Sequence, residues 1–187
     1  MRSSEIPFLA DWIAITLRWL MAVGIILSLA LSQHVEVLAI IALSLLILWN
    51  IYITFLAVTN RRMVLHRQLN ITLDTVVAAF LFYVTGNFSG PLSWIGLLPL
   101  LSSAIYYELS GALLQAVLFS LVACGLAYLS GVAISSLYLP IGIVVSINFG
   151  AGMVLGLLAR RLMKSVRAVY QLRLRERKDT ELKAQQQ

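Results

Sequence analysis

Along the chain, long apolar runs alternate with short polar punctuation. Runs of roughly 17 to 25 predominantly apolar residues are long enough to cross a bilayer as helices. Six such runs fall at about 12–31, 36–58, 70–86, 92–108, 110–133 and 138–159. The pattern predicts an all-α polytopic membrane protein with six transmembrane helices and a helical extension after the sixth, since a helix satisfies its backbone polar groups internally. The third and fourth runs are the shortest. Between them lies TGNFSGPLSW, Thr85 to Trp94, a polar island that predicts the tight tip of a helical hairpin. Gly86 and Gly90 permit a close or left-handed turn there, and Pro91 is placed to begin the fourth helix.

Composition agrees with this pattern. Of the 187 residues, 60% are hydrophobic and 12% charged, and the mean hydropathy is +0.92, outside the range of ordinary soluble domains. No small-residue cleavage site follows the first run, so the amino terminus is expected to be retained. The net charge of +6 does not point to nucleic acid, because the basic residues sit at the ends of apolar runs, where anionic lipid and the orientation rule account for them. Arg61, Arg62 and Arg67 lie between the second and third runs, and Arg160, Arg161, Lys164 and Arg167 follow the sixth. The loops near 32–36, 85–93 and 135–139 contain no Lys or Arg. These positions predict an integral membrane protein with both termini cytoplasmic. The outward loops are too short to fold a separate domain, so any molecule recognised there is small or arrives through the membrane.

Candidate chemistry is sparse. Cys124 is the only cysteine, which excludes an intrachain disulfide. His34 and His66 fall on opposite sides of the membrane in this topology, and no metal site is expected. No nucleophile, base and orienting group assemble in the sequence, so no enzyme activity is expected within these residues.

Polar residues inside the runs carry more information. Arg18 lies about 10 Å of helix beyond Asp11, and Asp74 about 6 Å beyond Asn70. Each has a local explanation, Arg18 by reaching back to the interface and Asp74 by complementing a helix amino terminus. An intramembrane ion pair between Arg18 and Asp74 satisfies both. Asn50 and Asn148 are expected to hydrogen-bond across to neighbouring helices, in preference to contacting a ligand. In the last run Gly142, Ser146, Gly150, Gly152 and Gly156 share one broad side, and Gly152 with Gly156 forms a GxxxG pair suited to helix packing within the bundle or, less favoured, across a dimer. No Pro or Gly occurs from Leu157 to Gln187, so a rigid helix can continue out of the bilayer. Leu162, Val166, Val169 and Leu172 or Arg173 follow steps of four and three residues, compatible with a short coiled-coil seam or with a basic helix near lipid headgroups.

Three stretches carry a family resemblance: LRW at Leu17 to Trp19, Asp74 early in the third run, and LFYVTGNFSGPLSWIGLLPLL from Leu81 to Leu101. With these the chain resembles the six-span membrane sensor module of bacterial histidine kinases, most closely the redox-responsive RegB/PrrB-like group. That group shows a tyrosine and a Thr-Gly-Gly-x-x-Asn-Pro-Phe element, then a proline entering the fourth span. Tyr83, Thr85, Gly86, Pro91 and Pro99 match, whereas Asn87, Gly90 and Leu92 replace its second Gly, its Asn and its Phe. The resemblance implies a sensor domain over 1–159 and a signalling and dimerisation helix over 160–187 that leads to a cytoplasmic kinase output domain. It further implies a homodimer and quinone as the sensed ligand, with no kinase activity in these 187 residues. The candidate ligand site is then Tyr83, Thr85, Gly86, Asn87, Phe88, Gly90, Pro91 and Trp94. Phe88 and Trp94 would stack on a flat ring and Asn87 would hydrogen-bond a carbonyl; as an alternative, the aromatics are interfacial anchors. An alternative function is the substrate-binding membrane subunit of a vitamin-type transporter, which six short-looped spans also suit but which has no need of the charged tail.

Overall fold

The computed structural model of the protein describes residues 5–32, 35–59, 66–131 and 134–185. Among them the chain forms α1 (Glu5–Leu31), α2 (Val37–Val58), α3 (His66–Val84), a 3-10 turn (Asn87–Ser89), α4 (Leu97–Leu129) and α5 (Ile134–Gln185). The fold is all-α. Four helices are long and apolar enough to cross a membrane: α1 from Asp11, α2, α4, and α5 over Tyr138–Val166. Their outward faces are lined with exposed Leu, Ile and Val, including Leu20, Leu45, Leu121 and Ile143, the surface expected where lipid rather than water is the solvent.

The third helix is different in kind. It has 19 residues and carries Arg67, Asn70, Asp74 and Thr75, so it is not among those four. Asn70, Asp74, Ala78, Leu81 and Phe82 are all buried. Their spacing of three and four residues makes one inward stripe, polar at one end and apolar at the other. This stripe divides the bundle into a polar base around Asn70 and Asp74 and an apolar tip around Phe82.

Two features depart from the boundaries that hydropathy predicts. First, the fourth helix begins at Leu97 rather than near residue 92, and Pro91 does not start it. Residues 90–98 instead wind through three-residue turns, in which the N–H groups of Ser93, Ile95, Leu97 and Leu98 bond to the carbonyls of Gly90, Leu92, Trp94 and Ile95 at 3.0–3.2 Å. The cause is packing: Leu92, Ile95 and Leu98 are each fully buried, and three residues per turn is the period that aims all of them at the core.

Second, α4 is interrupted at Glu108, where φ is 57° and ψ is −142°. The chain doubles back there. A Cβ on Gly111 would lie 2.8 Å from the carbonyl oxygen of Ser103, and one on Gly96 would lie 2.5 Å from the Phe119 ring. In a straight helix these pairs would be roughly 12 Å and 34 Å apart at 1.5 Å per residue. Residues 97–107 and 109–129 therefore form two antiparallel rods that share one connecting residue.

Packing of α5 is mainly against this α4 hairpin. Gly156 makes the closest approach, since a Cβ there would sit 2.7 Å from Leu109 Cα, and a Cβ on Gly152 would sit 3.5 Å from the Ala112 carbonyl. The GxxxG pair thus faces into the bundle, while Cβ atoms on Gly142 and Gly150 would meet open space.

Candidate functional site

Among the described residues, buried polar side chains gather at the base and near the tip. At the base, Arg18 and Asp74 are 2% and 0% exposed. Arg18 Nη2 donates to Asp74 Oδ1 at 2.5 Å, and Ser102 Oγ donates to Asp74 Oδ2 at 2.6 Å. Both carboxylate oxygens are engaged, whereas Arg18 Nε and Nη1 have no partner. One turn away, Asn70 Oδ1 accepts from Trp49 Nε1 at 3.1 Å, and its Nδ2 donates to the Tyr106 hydroxyl at 3.4 Å. Arg67 lies 5.4 Å above the Tyr106 ring and 3.9 Å from the Asp11 carboxylate. Gln115 Nε2 donates to Thr75 Oγ1 at 2.8 Å. This network ties α1, α2, α3 and α4 together. A buried ion pair adds little net stability, but breaking one is costly because it strands a charge. Its geometry suits a structural joint, with the Asp74 carboxylate closed off from solvent. Arg61, Arg62 and His34 lie outside the described residues, and among those described no cluster of His, Cys, Asp and Glu could hold a metal ion.

At the other end, the tip turns Asn87 and Phe88 into the bundle and leaves Gly86, Ser89 and Pro91 exposed. Gly86 and Asn87 take left-handed φ values of 101° and 57°, a conformation that Gly adopts freely and Asn tolerates. Gly90 is obligatory, because a Cβ there would fall 1.9 Å from the Thr85 carbonyl oxygen. Thr85 Oγ1 bonds back to Leu81 O at 2.7 Å, and Asn87 Nδ2 donates to Ser130 Oγ at 3.1 Å, which fastens the 3-10 turn to the end of α4. Phe88 is buried edge-on to Phe82, with ring centroids 5.0 Å apart. The Trp94 ring lies over Gly24 of α1, 3.2 Å from where a Cβ would be. Tyr83 and Pro91 are exposed.

Between tip and α5 runs a groove of about 220 Å³, lined by Phe88, Ser93 and Trp94 on one side and by Pro140, Ile143, Val144, Ile147 and Asn148 on the other. Of the eight tip residues singled out from sequence, Phe88 and Trp94 line it. Tyr83, Thr85, Gly86, Asn87, Gly90 and Pro91 do not; they shape the turn or face outward. Asn87 spends its amide N–H on Ser130 rather than on the groove. The α5 wall was not anticipated, and only Asn148 stood out in the sequence, as an amide inside an apolar run. Asn148 is 1% exposed, yet neither its Nδ2 nor its Oδ1 has a hydrogen-bond partner. The interhelical hydrogen bond expected of it is not made. Asn50 Nδ2 is likewise buried without a partner. A second hollow, about 400 Å³ between α3 and α4, is lined by Gln68, Thr72 and Ser103 and by Gln115 and Ser110, of which Gln115 Nε2 and Ser110 Oγ already donate to Thr75 and Tyr107.

No protein-family model, no curated protein and no solved structure matches the chain.

Proposed function

We propose that the protein is a membrane-embedded signal-input module that binds a small lipid-soluble molecule in the groove beside Trp94 and passes the change along α5. The observation that carries this reading is that one helix does both jobs. α5 supplies a whole wall of the groove and then continues as helix to Gln185, about 55 Å beyond Asn148 at 1.5 Å per residue. No Pro or Gly interrupts it after Gly156, so a shift or rotation at the groove reaches the far end undamped. The groove opens through Ile143 and Ile147, which are half exposed on an apolar face, and a hydrophobic ligand can enter sideways from the bilayer.

In this reading the four long apolar helices, with α4 counted as two rods and α3 as the polar central helix, give six crossings with both ends cytoplasmic. The basic residues Arg160, Arg161 and Lys164 at the exit of α5 fit that orientation. The exposed apolar positions Leu162, Val169 and Leu172 on the extension suit a second copy of α5, hence a homodimer feeding a histidine-kinase type of output domain. Quinone is the ligand suggested by the resemblance in the Leu81–Leu101 stretch.

The test is a chimera in which residues 1–187 precede the catalytic portion of a histidine kinase, reconstituted in lipid nanodiscs. Autophosphorylation should change on adding a membrane-soluble quinone or its reduced form, and Ile147→Trp, which fills the groove, should abolish the response. A chimera equally active with and without every ligand sinks the sensor reading. For topology, Gly131→Cys in a Cys124→Ser background should react with a membrane-impermeant thiol reagent from outside the cell only.

A further inference from the structure

At the opposite end of the bundle from the groove, the 400 Å³ hollow between α3 and α4 has a different chemistry. Gln68, Thr72, Ser103, Tyr107, Ser110 and Gln115 give it six side chains able to hydrogen-bond, and no Lys, Arg, His, Asp or Glu is among the described residues that line it. Ser110 and Gln115 already donate to Tyr107 and Thr75. The Thr72 and Ser103 hydroxyls make no hydrogen bond among the described residues. Ser103 is nevertheless buried, at 5% exposed. Gly111 keeps its hydroxyl uncovered on the wall of the hollow, since a Cβ there would stand 3.0 Å from Ser103 Oγ. Buried polar groups in folded proteins are nearly always paired, so an unanswered hydroxyl facing an open volume points to an outside acceptor.

Charge and position define that partner. A phosphate in the hollow would meet no cation and a quaternary ammonium no carboxylate, and burying either unpaired is costly. Arg67, next in sequence to Gln68, is turned instead to Asp11 and Tyr106. The matching group is therefore uncharged. Gln68 lies two residues into α3 and Ser110 two residues past the reversal at Glu108, so the hollow begins at the helix ends and reaches Gln115 about 10 Å further in, at 1.5 Å per residue. The polar layer on each side of a bilayer is roughly 5–7 Å thick. The lining thus spans that layer and the edge of the hydrocarbon, the level at which a lipid carries its glycerol esters. Leu114 and Leu118, 62% and 45% exposed, continue it as an apolar surface for acyl chains. The volume exceeds the cavity of about 150 Å³ that holds one benzene ring and admits a glycerol with two ester groups. We propose that this hollow binds a diacylglycerol, with Thr72 and Ser103 donating to its ester carbonyls and Gln68 meeting its free hydroxyl at the mouth. The site goes beyond the sensor reading and takes from it only the orientation, which makes the leaflet that supplies the lipid the cytoplasmic one.

The experiment places the full chain in phosphatidylcholine nanodiscs with a diacylglycerol that carries a photoactivatable acyl chain, and maps the labelled segments by mass spectrometry. Label should appear on 68–72 and 110–118, and unlabelled diacylglycerol should displace it about tenfold more effectively than phosphatidic acid of the same chains, whose phosphate would stand there without a cation. Thr72→Val and Ser103→Ala, which remove a hydroxyl and leave the packing, should each weaken binding about fivefold, the ratio that one hydrogen bond of ordinary strength supplies. Thr72→Trp, which fills the hollow, should abolish the labelling of both segments, whereas Leu121→Trp on another lipid-facing surface should leave it unchanged. Equal displacement by the two lipids, a preference for phosphatidic acid, or labelling that neither Thr72→Val nor Ser103→Ala weakens would each overturn the assignment. So would disulfide cross-linking between two copies of Thr72→Cys in a Cys124→Ser background, which would put a second chain in the hollow. None of these readouts uses kinase output, so the sensor reading and this site fail separately.

Discussion

Asn70 and Asn148 are buried almost equally, 2% and 1% exposed, and their surroundings are opposite. The Asn70 amide is a junction, taking a hydrogen bond from Trp49 and giving one to Tyr106. The Asn148 amide has no hydrogen-bond partner at either end, in a residue that borders a groove. In an apolar medium the same side chain is thus glue in one place and an unmet demand in the other. The difference teaches that burial of a polar residue in a membrane helix does not by itself assign it to packing; what matters is whether both ends of the amide are answered within the chain.

The largest test of this contrast lies beside Asn70. Asp74→Ala leaves the Arg18 guanidinium buried without its counterion, and should cost about 3–5 kcal/mol, read as a loss of folded protein in thermal melts. Replacing both partners with leucine should recover most of that loss, because the remaining cost of a stranded charge is gone. A double variant as unstable as Asp74→Ala would show that the base is held by something other than the pair. At the tip, Gly90→Ala forces a methyl group against the Thr85 carbonyl and should cost about 2–3 kcal/mol, read as a lower melting temperature. Asn70→Leu should cost about 2 kcal/mol by stranding the Trp49 indole N–H, whereas the same change at Asn148 should stabilise. If both changes destabilise equally, the two amides are alike and the distinction fails. The smallest effect belongs to Glu108, whose φ of 57° with ψ of −142° is a region suited to glycine. Glu108→Gly should raise stability by about 1 kcal/mol, seen as a higher melting temperature.

Much of the scaffold is readable in the sequence because a lipid environment leaves few options. Apolar length sets the helices, and the polar interruption YYELSG marks the place where α4 reverses. Arg18 and Asp74 are also readable, since two opposite charges inside apolar runs have few other partners. The stretch 92–96 was not readable as three-residue turns, because Leu92, Ile95 and Leu98 look the same in a hydropathy pattern whether wound by 3.0 or 3.6 residues per turn. The groove was half readable. Its tip side is marked by Phe88 and Trp94 among glycines, but Ile143, Val144 and Ile147 resemble every other lipid-facing residue of α5. Which of its faces meets the tip is decided by close packing at Gly156 against Leu109, a tertiary fact. Asn87 drew attention as the polar residue at the tip, yet the 3-10 turn directs it to Ser130.

The reversal at Glu108 also has a practical consequence. Two packed rods joined by one residue leave no slack, so a fluorescent tag or protease cassette inserted at 107–111 would pry Gly111 away from Ser103 and report on damage rather than on sidedness. An insertion placed after Gly131 avoids that contact, provided Gly131 itself is kept, since its φ of 71° suits glycine.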